Sequence, residues 1–298
     1  MKRFTAKFKD GLWVFYVIAG LLALICFLPL WITLASSLTD ELTINASGYT
    51  LFPTKPTLET YRYIISNKGS MLFRAFGVTF FVVIAGTLYS LIVTTCFSYS
   101  TSQSRDTFKY ANALSFFAWF TTVFSGGVLP WYIITTRYYG LQNNLFALFI
   151  PSAMSVFNMF VLKSNFKALP QELFESARID GAGNMRIFLA IAVPLSKVSL
   201  VTITLFYALQ YWNDFHLSLY LITKSDLYTV QKLLYNMLSN ISALMSNSSM
   251  ASAASDMVIP TTTARMCMTI MTIGPVLVFY PFAQKYFVRG VTIGAVKG

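Results

Sequence analysis

The chain has 298 residues, of which 56% are hydrophobic and only 11% are charged. Soluble domains carry about 25% charged residues, so this composition excludes an ordinary soluble protein. A formal net charge of +11 would suggest a nucleic-acid partner in a soluble chain. Membrane proteins also collect basic residues on their cytoplasmic side, so we expect no nucleic-acid binding here. The composition predicts an all-α integral membrane protein.

Six apolar segments are long enough to cross, as helices, a hydrocarbon layer about 30 Å thick. The first follows a basic N-terminus but is too long for the core of a cleavable signal peptide, so we expect it to be retained. Several spans contain glycine or proline, for which kinks and close helix packing are a sufficient explanation. The six spans, in one transmembrane domain of residues 1–298, are predicted at about 12–34, 73–95, 110–134, 145–162, 193–211 and 264–286.

The distribution of basic residues predicts the orientation of these spans. Fourteen of the 22 Lys and Arg residues lie on the side of the two termini, and the other eight are spread over longer loops. We therefore predict a cytoplasmic N-terminus (1–11), a cytoplasmic tail (287–298) and two external loops (about 36–72 and 212–263). The second external loop contains SNISALMSNSSMASAASD, a run low in charge that predicts a flexible loop.

A polar stretch, ELFESARIDGAGNMRIFLAIAVPLS, separates the fourth and fifth spans. Pro170 suits a helix start, Arg178 suits a last turn and Gly181 suits a left-handed terminating residue, so a short helix is predicted over 170–179. A second helix follows, and its predicted apolar face consists of Met185, Phe188, Leu189 and Ala192. Helices this short are marginal alone, so they must pack either on this chain's own helix ends or on a partner.

The spacing of residues in this stretch resembles the EAA loop of ATP-binding-cassette (ABC) importer permeases. The matching positions are Glu175-Ser176-Ala177, Gly181, Ile191 and Val193-Pro194, with Ser176 in place of Ala and Val193 in place of Leu. Three further segments resemble the maltose-type carbohydrate permeases, and within them the subgroup for polysaccharide fragments and alginate: PSAMSVFNMFVLKSNFKALPQEL, YWND and YPFAQKYFVRGVTIGAVKG. The resemblance implies a type I ABC importer permease fold with a cytoplasmic coupling-helix hairpin at 168–192.

In that family the hairpin docks on a separate ATPase, whose movement drives alternating access to an oligosaccharide pathway. The resemblance therefore implies no cofactor in this chain, because ATP and Mg would be bound by partner subunits. It also implies a tail that contacts the ATPase through Lys285, Arg289 and Lys297, although a frayed basic end would explain the same residues. The ATPase-coupling residues would be Glu172, Glu175, Ser176, Ala177, Asp180, Gly181 and Ala182.

The resemblance further implies a bacterial cytoplasmic membrane and a multi-subunit assembly. The implied partners are a homologous second permease, two ABC ATPase subunits, an extracellular or periplasmic solute-binding protein, an oligosaccharide substrate and membrane lipid. The alternatives are a permease of the same class for a different polar solute and a stand-alone secondary transporter, so a different cargo is an open alternative.

The sequence itself offers no pattern for chemistry. The glycines of 290–298 lack P-loop spacing, and His216 has no Ser or Cys partner, which favours an interfacial residue over a catalyst. The three cysteines lack the spacing of a metal or disulfide framework. Few ionisable residues lie within the spans, which disfavours a stand-alone secondary transporter. A membrane enzyme is also disfavoured, because the sequence shows no catalytic cluster.

Uncharged polar and aromatic residues in the fourth and fifth spans are candidates for a sugar pathway, because sugars offer hydroxyls and apolar ring faces. The alternative is that they form interfacial belts or join helices. The candidates are Asn158, Tyr207, Gln210, Tyr211, Trp212 and Asn213.

Overall fold

The computed structural model describes residues 13–246 and 261–295 of the chain, and these residues are mostly helical. Within them, the one isolated β-bridge joins Thr39 and Pro56. The longer helices are α1 (Trp13–Ser37), α2 (Glu41–Ser47), α3 (Glu59–Ser102), α4 (Ala111–Val123), α5 (Val128–Tyr138), α6 (Val156–Lys167), α7 (Gln171–Ile179), α8 (Asn184–Leu195), α9 (Lys197–Asn213), α10 (His216–Leu221), α11 (Val230–Ser246) and α12 (Thr262–Ala295).

Three helices are long and apolar enough to cross a membrane as single elements, namely α1, α3 and the part of α12 up to Phe279. Three more candidate spans are bent pairs, so the described residues contain up to six. The bends are 117° between α4 and α5, 55° between the 3₁₀ turns of Leu145–Ser152 and α6, and 80° between α8 and α9. Each bent pair contains glycine or proline at or near its break, as the kink interpretation requires.

Two helices have boundaries that differ from those of the predicted membrane spans they contain. Helix α3 begins at Glu59, before the predicted span of 73–95, and Thr60 and Ile64 in its first turns are buried. Helix α9 begins at Lys197, and an 80° bend separates it from residues 193–195, which form the end of α8.

The segment predicted to be a flexible external loop is helical over its first part. Helix α11 extends to Ser246, beyond which residues 247–260 lie outside the described part of the chain. The side chain of Thr229 accepts the amide of Lys232 at 3.3 Å, and the buried Val230 and Leu233 begin an amphipathic face. Capping and periodicity therefore outweigh the Ser-rich composition in this segment.

The described residues form two compact units. One comprises those of Met1–Gly69 and Leu234–Pro275, and the other those of Ser70–Leu233 and Val276–Gly298. The second unit contains the hairpin and most of the packed core, and it is held together by hydrogen bonds between helices. Tyr207 and Tyr211 of α9 bond at 2.6 Å to Thr94 and Ser90 of α3, respectively. Such pairing of polar side chains across apolar helices is usual within membranes.

Candidate functional site

The polar stretch after the fourth span folds as a helical hairpin, defined here as α7 and α8 with their connecting turn. Helix α7 spans Gln171–Ile179, within one residue of the predicted helix. Gly181 has a φ of +80°, so the prediction of a left-handed terminating residue is confirmed. The amide of Ala182 then bonds to the carbonyl of Ala177 at 2.9 Å, which closes the turn.

One side of the hairpin is anchored in the core of its own unit. Phe174, Ile187 and Phe188 are all buried. The ring of Phe188 lies 4.8 Å from that of Tyr99, near the end of α3, and Tyr99 in turn lies 5.5 Å from Phe166 of α6. The hairpin is therefore joined to two spans by close aromatic contacts. The hairpin and the ends of these two spans therefore share one close-packed aromatic cluster.

The predicted apolar face of the second helix is only partly correct. Phe188 and Ala192 are buried as predicted, but Met185 and Leu189 are exposed, with 69% and 58% of their surfaces accessible. Ile187 is buried together with Phe188 and Ala192, so the buried face is rotated away from Met185 and Leu189. A π-helical turn then spans Phe188–Ala192.

The other side of the hairpin presents apolar groups among charges. Ile179 is 87% exposed, the highest value among the large hydrophobic side chains of the described residues. Glu172, Glu175 and Asp180 are exposed on the same element. Between the helices lies a groove of about 400 Å³, whose lining includes Leu173, Ser176, Ala177, Asp180, Ile191 and Pro194. An exposed apolar surface rimmed by charges is typical of a protein-binding site.

The predicted coupling residues are thus brought together on one accessible element. Glu172, Glu175, Ser176, Asp180 and Gly181 are exposed, while Ala177 and Ala182 are half-buried beside them. Their roles in contacting an ATPase remain predictions. The tail is a separate matter, because the side chains of Lys285 and Arg289 lie outside the described ones and Lys297 lies outside the described residues.

The predicted pathway residues fall into two groups. Asn158, Tyr207, Tyr211 and Trp212 are buried within their own unit, and the Tyr207 hydroxyl also accepts the amide of Ser155 at 3.0 Å. Their contacts are those of side chains that join helices, which was the alternative to a pathway role. Gln210 and Asn213 are exposed, although Asn213 donates to the carbonyl of Leu209 at 3.0 Å. A pathway role for any of the six remains a prediction.

The described chain thus combines apolar helices with a polar hairpin, one side of which is buried in the core and the other side exposed. This arrangement is that of a membrane-spanning importer subunit. The chain belongs to the family described as the binding-protein-dependent transport system inner membrane component, whose model matches residues 108–293. Its helices form the type I importer permease fold, as predicted.

Individual relatives are similar over nearly the whole chain. The polygalacturonan/rhamnogalacturonan transport system permease protein YtcP of Bacillus subtilis is 34% identical over 276 residues, which cover 93% of this chain and 94% of YtcP. The arabinooligosaccharides transport system permease protein AraQ of Halalkalibacterium halodurans is 26% identical, with 100% of both chains covered. Among solved structures, a bacterial ABC transporter involved in the import of the acidic polysaccharide alginate matches with a TM-score of 0.79 and 26% identity, covering 92% of this chain and 95% of that one.

Proposed function

We propose that this chain is the permease subunit of an ABC importer that moves an oligosaccharide across the bacterial cytoplasmic membrane by alternating access. Separate ATPase subunits would bind ATP and Mg²⁺, and a solute-binding protein would deliver the cargo to the outer side. The observation that carries the proposal is the hairpin, whose exposed Ile179 and Glu175 lie opposite its buried Phe174 and Phe188. The three similar proteins described above are named for the transport or import of glycans, which supports an oligosaccharide as the cargo.

The geometry suggests how force would pass from the ATPase to the membrane. ATPase closure would displace α7, and Phe188 would transmit the displacement through Tyr99 and Phe166 to α3 and α6. The basic-residue distribution supports a cytoplasmic hairpin and cytoplasmic termini. A homologous second permease would complete the pathway. The apolar membrane-spanning stretch of α1 has no residue buried within this chain, so it is available to pack on a partner.

Reconstitution tests the proposal directly. Proteoliposomes that contain the permease pair, the ATPase subunits and the binding protein are expected to accumulate a radiolabelled oligosaccharide when ATP is supplied. Omission of the ATPases should abolish uptake, whereas uptake by this chain alone would contradict the proposal and indicate a secondary transporter.

Charge reversal tests the docking surface in the same assay. Glu175→Lys should reduce ATPase co-purification at least tenfold, because it reverses a charge on the proposed interface. Asp106→Lys is the matched control, since Asp106 is an exposed acid in the loop between α3 and α4. Equal co-purification of both variants would contradict docking on this side of the hairpin.

A further inference from the structure

A second cavity, separate from the hairpin groove, lies where the α4–α5 turn meets the α9–α10 junction. Its volume is about 740 Å³, and its lining includes Gly126, Gly127, Trp131, Asp214, His216 and Tyr220. Small-molecule sites in proteins usually occupy ~300–1,000 Å³ and combine aromatic walls with a few polar groups. This cavity matches that description in both size and lining.

The sharp bend between α4 and α5 opens the cavity. Gly127 has a φ of +84°, and its amide donates to the hydroxyl of Ser125 at 3.2 Å. No heavy atom lies within 4 Å of a Cβ built on Gly126 or Gly127. The two glycines therefore leave open space at the turn, and they keep the backbone accessible from the cavity.

Aromatic rings form one wall of the cavity. The rings of Trp131 and Tyr220 lie 6.3 Å apart in an edge arrangement, and His216 stacks near Tyr220 at 6.5 Å with only 16° between the ring planes. Tyr220 and His216 are exposed and Trp131 is half-exposed, so ring surface remains available to a ligand. Aromatic faces of this kind suit the apolar C–H faces of sugar rings.

The junction supplies a hydrogen-bond acceptor beside these rings. The carboxylate of Asp214 accepts the amide of Leu217 at 3.2 Å. A carboxylate has about four acceptor sites, so Asp214 keeps capacity for sugar hydroxyls. The segment that follows α10 is also held in place, because the side chain of Asn143 accepts the amides of Thr223 and Lys224 at 2.7 and 3.0 Å.

We propose that this cavity is a binding subsite for one sugar ring of the transported oligosaccharide. The ring packs on Trp131 and Tyr220, and its hydroxyls donate to Asp214. Because Asp214 only accepts when ionised, the subsite takes a hydroxyl-bearing face and disfavours a uronate carboxylate at this position. The inference rests on the proposed function, of which it names a specific contact surface.

The test uses the complete reconstituted transporter with radiolabelled arabinotriose, galactotriose and trigalacturonate as probes. Trp131→Ala is expected to lower uptake of the transported probe about tenfold, while stimulation of ATP hydrolysis by the loaded binding protein is retained. Trp131→Phe keeps a ring and should restore uptake to within about threefold. Trp119→Ala removes an exposed tryptophan of α4 outside the cavity, and it should retain both activities.

A space-filling variant gives an independent measurement. Gly126→Leu should block uptake by filling the cavity, whereas Gly77→Leu, also at a position with no heavy atom within 4 Å of an added Cβ, should not. Uptake within twofold of wild type for both Trp131→Ala and Gly126→Leu would overturn the subsite. Loss of subunit co-purification in these variants would also overturn it, because the cavity would then be an interface between permeases. Import of none of the three probes by the wild-type complex would count against the proposed function, whereas import of a probe by wild type and by both variants alike would overturn the subsite alone.

Discussion

The first amides of α12 have no partner within the helix, and the carboxylate of Glu41 accepts hydrogen bonds from them instead. We therefore predict that removing this carboxylate destabilises the start of α12. One oxygen accepts the Thr261 amide and hydroxyl, both at 3.1 Å, and the Thr262 amide at 2.9 Å. The other accepts the Thr263 amide at 2.8 Å and its hydroxyl at 2.5 Å. Helix N-termini leave four amides without helical partners, so this distant side chain satisfies three of the amides at and just before the start of α12.

The magnitude follows from these five bonds. Glu41→Gln keeps one carbonyl oxygen but turns an NH₂ group toward donors, so two charge-assisted bonds are lost in a site where Glu41 is only 5% exposed. At about 1.5–3 kcal/mol for each bond to a charged group, the two lost bonds cost at least about 3 kcal/mol together. That energy corresponds to about a hundredfold in an opening equilibrium.

Hydrogen exchange measures this opening directly. We expect the amides of Thr261 to Thr263 to lose about a hundredfold of protection in Glu41→Gln. Glu59→Gln is the matched control, because Glu59 is an exposed acid in the first turn of α3. Unchanged protection of these amides in Glu41→Gln would refute the capping role.

The same site predicts a pH dependence with a defined sign. Burial alone would raise the pKa of Glu41, but the hydrogen bonds from Thr263, Thr262 and Thr261 outweigh it and hold the pKa below its ordinary value of 4.5. A lowered pKa stabilises the fold fully above the ordinary value, and this stabilisation is lost as pH falls through the lower, folded-state pKa. Wild type should therefore lose more thermal stability on acidification than Glu41→Gln. A parallel loss in both proteins would contradict the assignment.

Three further predictions concern packing and the hairpin turn. Gly86→Ala should destabilise the protein by about 1–3 kcal/mol, because the added Cβ would lie 2.9 Å from the ring of Tyr211. Gly77→Ala should be nearly neutral, since no heavy atom lies within 4 Å of its added Cβ. Equal midpoints of thermal unfolding in detergent for the two variants would refute this prediction. Tyr207→Phe should cost about 1–2 kcal/mol, since Thr94 and the Ser155 amide lose a buried partner, and an unchanged midpoint would count against it. Gly181→Val should strain the turn by about 1–2 kcal/mol and weaken ATPase co-purification while membrane insertion stays normal; normal co-purification would contradict a docking role.

Local signals in the sequence predicted the hairpin well. Pro170, Arg178 and Gly181 each influence only the helical turn in which they lie. The start and end of α7 and the left-handed residue that follows it therefore follow directly from residue type. The π-turn over Phe188–Ala192 was not predictable in this way, because each of its residues is compatible with an ordinary helix. The exposure of Met185 and Leu189, which the predicted apolar face did not anticipate, adds apolar surface to the hairpin.

Features that depend on distant partners were missed for a different reason. Glu41 and Thr263 are 222 residues apart, and no periodicity links them. The cavity likewise depends on the 117° bend between α4 and α5, and Gly126-Gly127 permits that bend without specifying its angle. His216 was interpreted as an interfacial residue because it has no Ser or Cys partner in the sequence, and its ring contact with Tyr220, which in turn contacts Trp131 of another span, is visible only in the structure. Composition and hydropathy therefore predicted the class of protein, and only tertiary structure could place these contacts.

Accessibility of the hairpin in the assembled transporter tests the central claim most directly. In a chain with Cys26 and Cys96 replaced by Ser, Ile179→Cys places a thiol at an 87% exposed position, and Tyr138→Cys places one at a 79% exposed position on α5. Addition of the ATPase subunits should slow maleimide labelling at position 179 at least tenfold and leave position 138 unchanged. Equal labelling at position 179 with and without the ATPases would contradict the account.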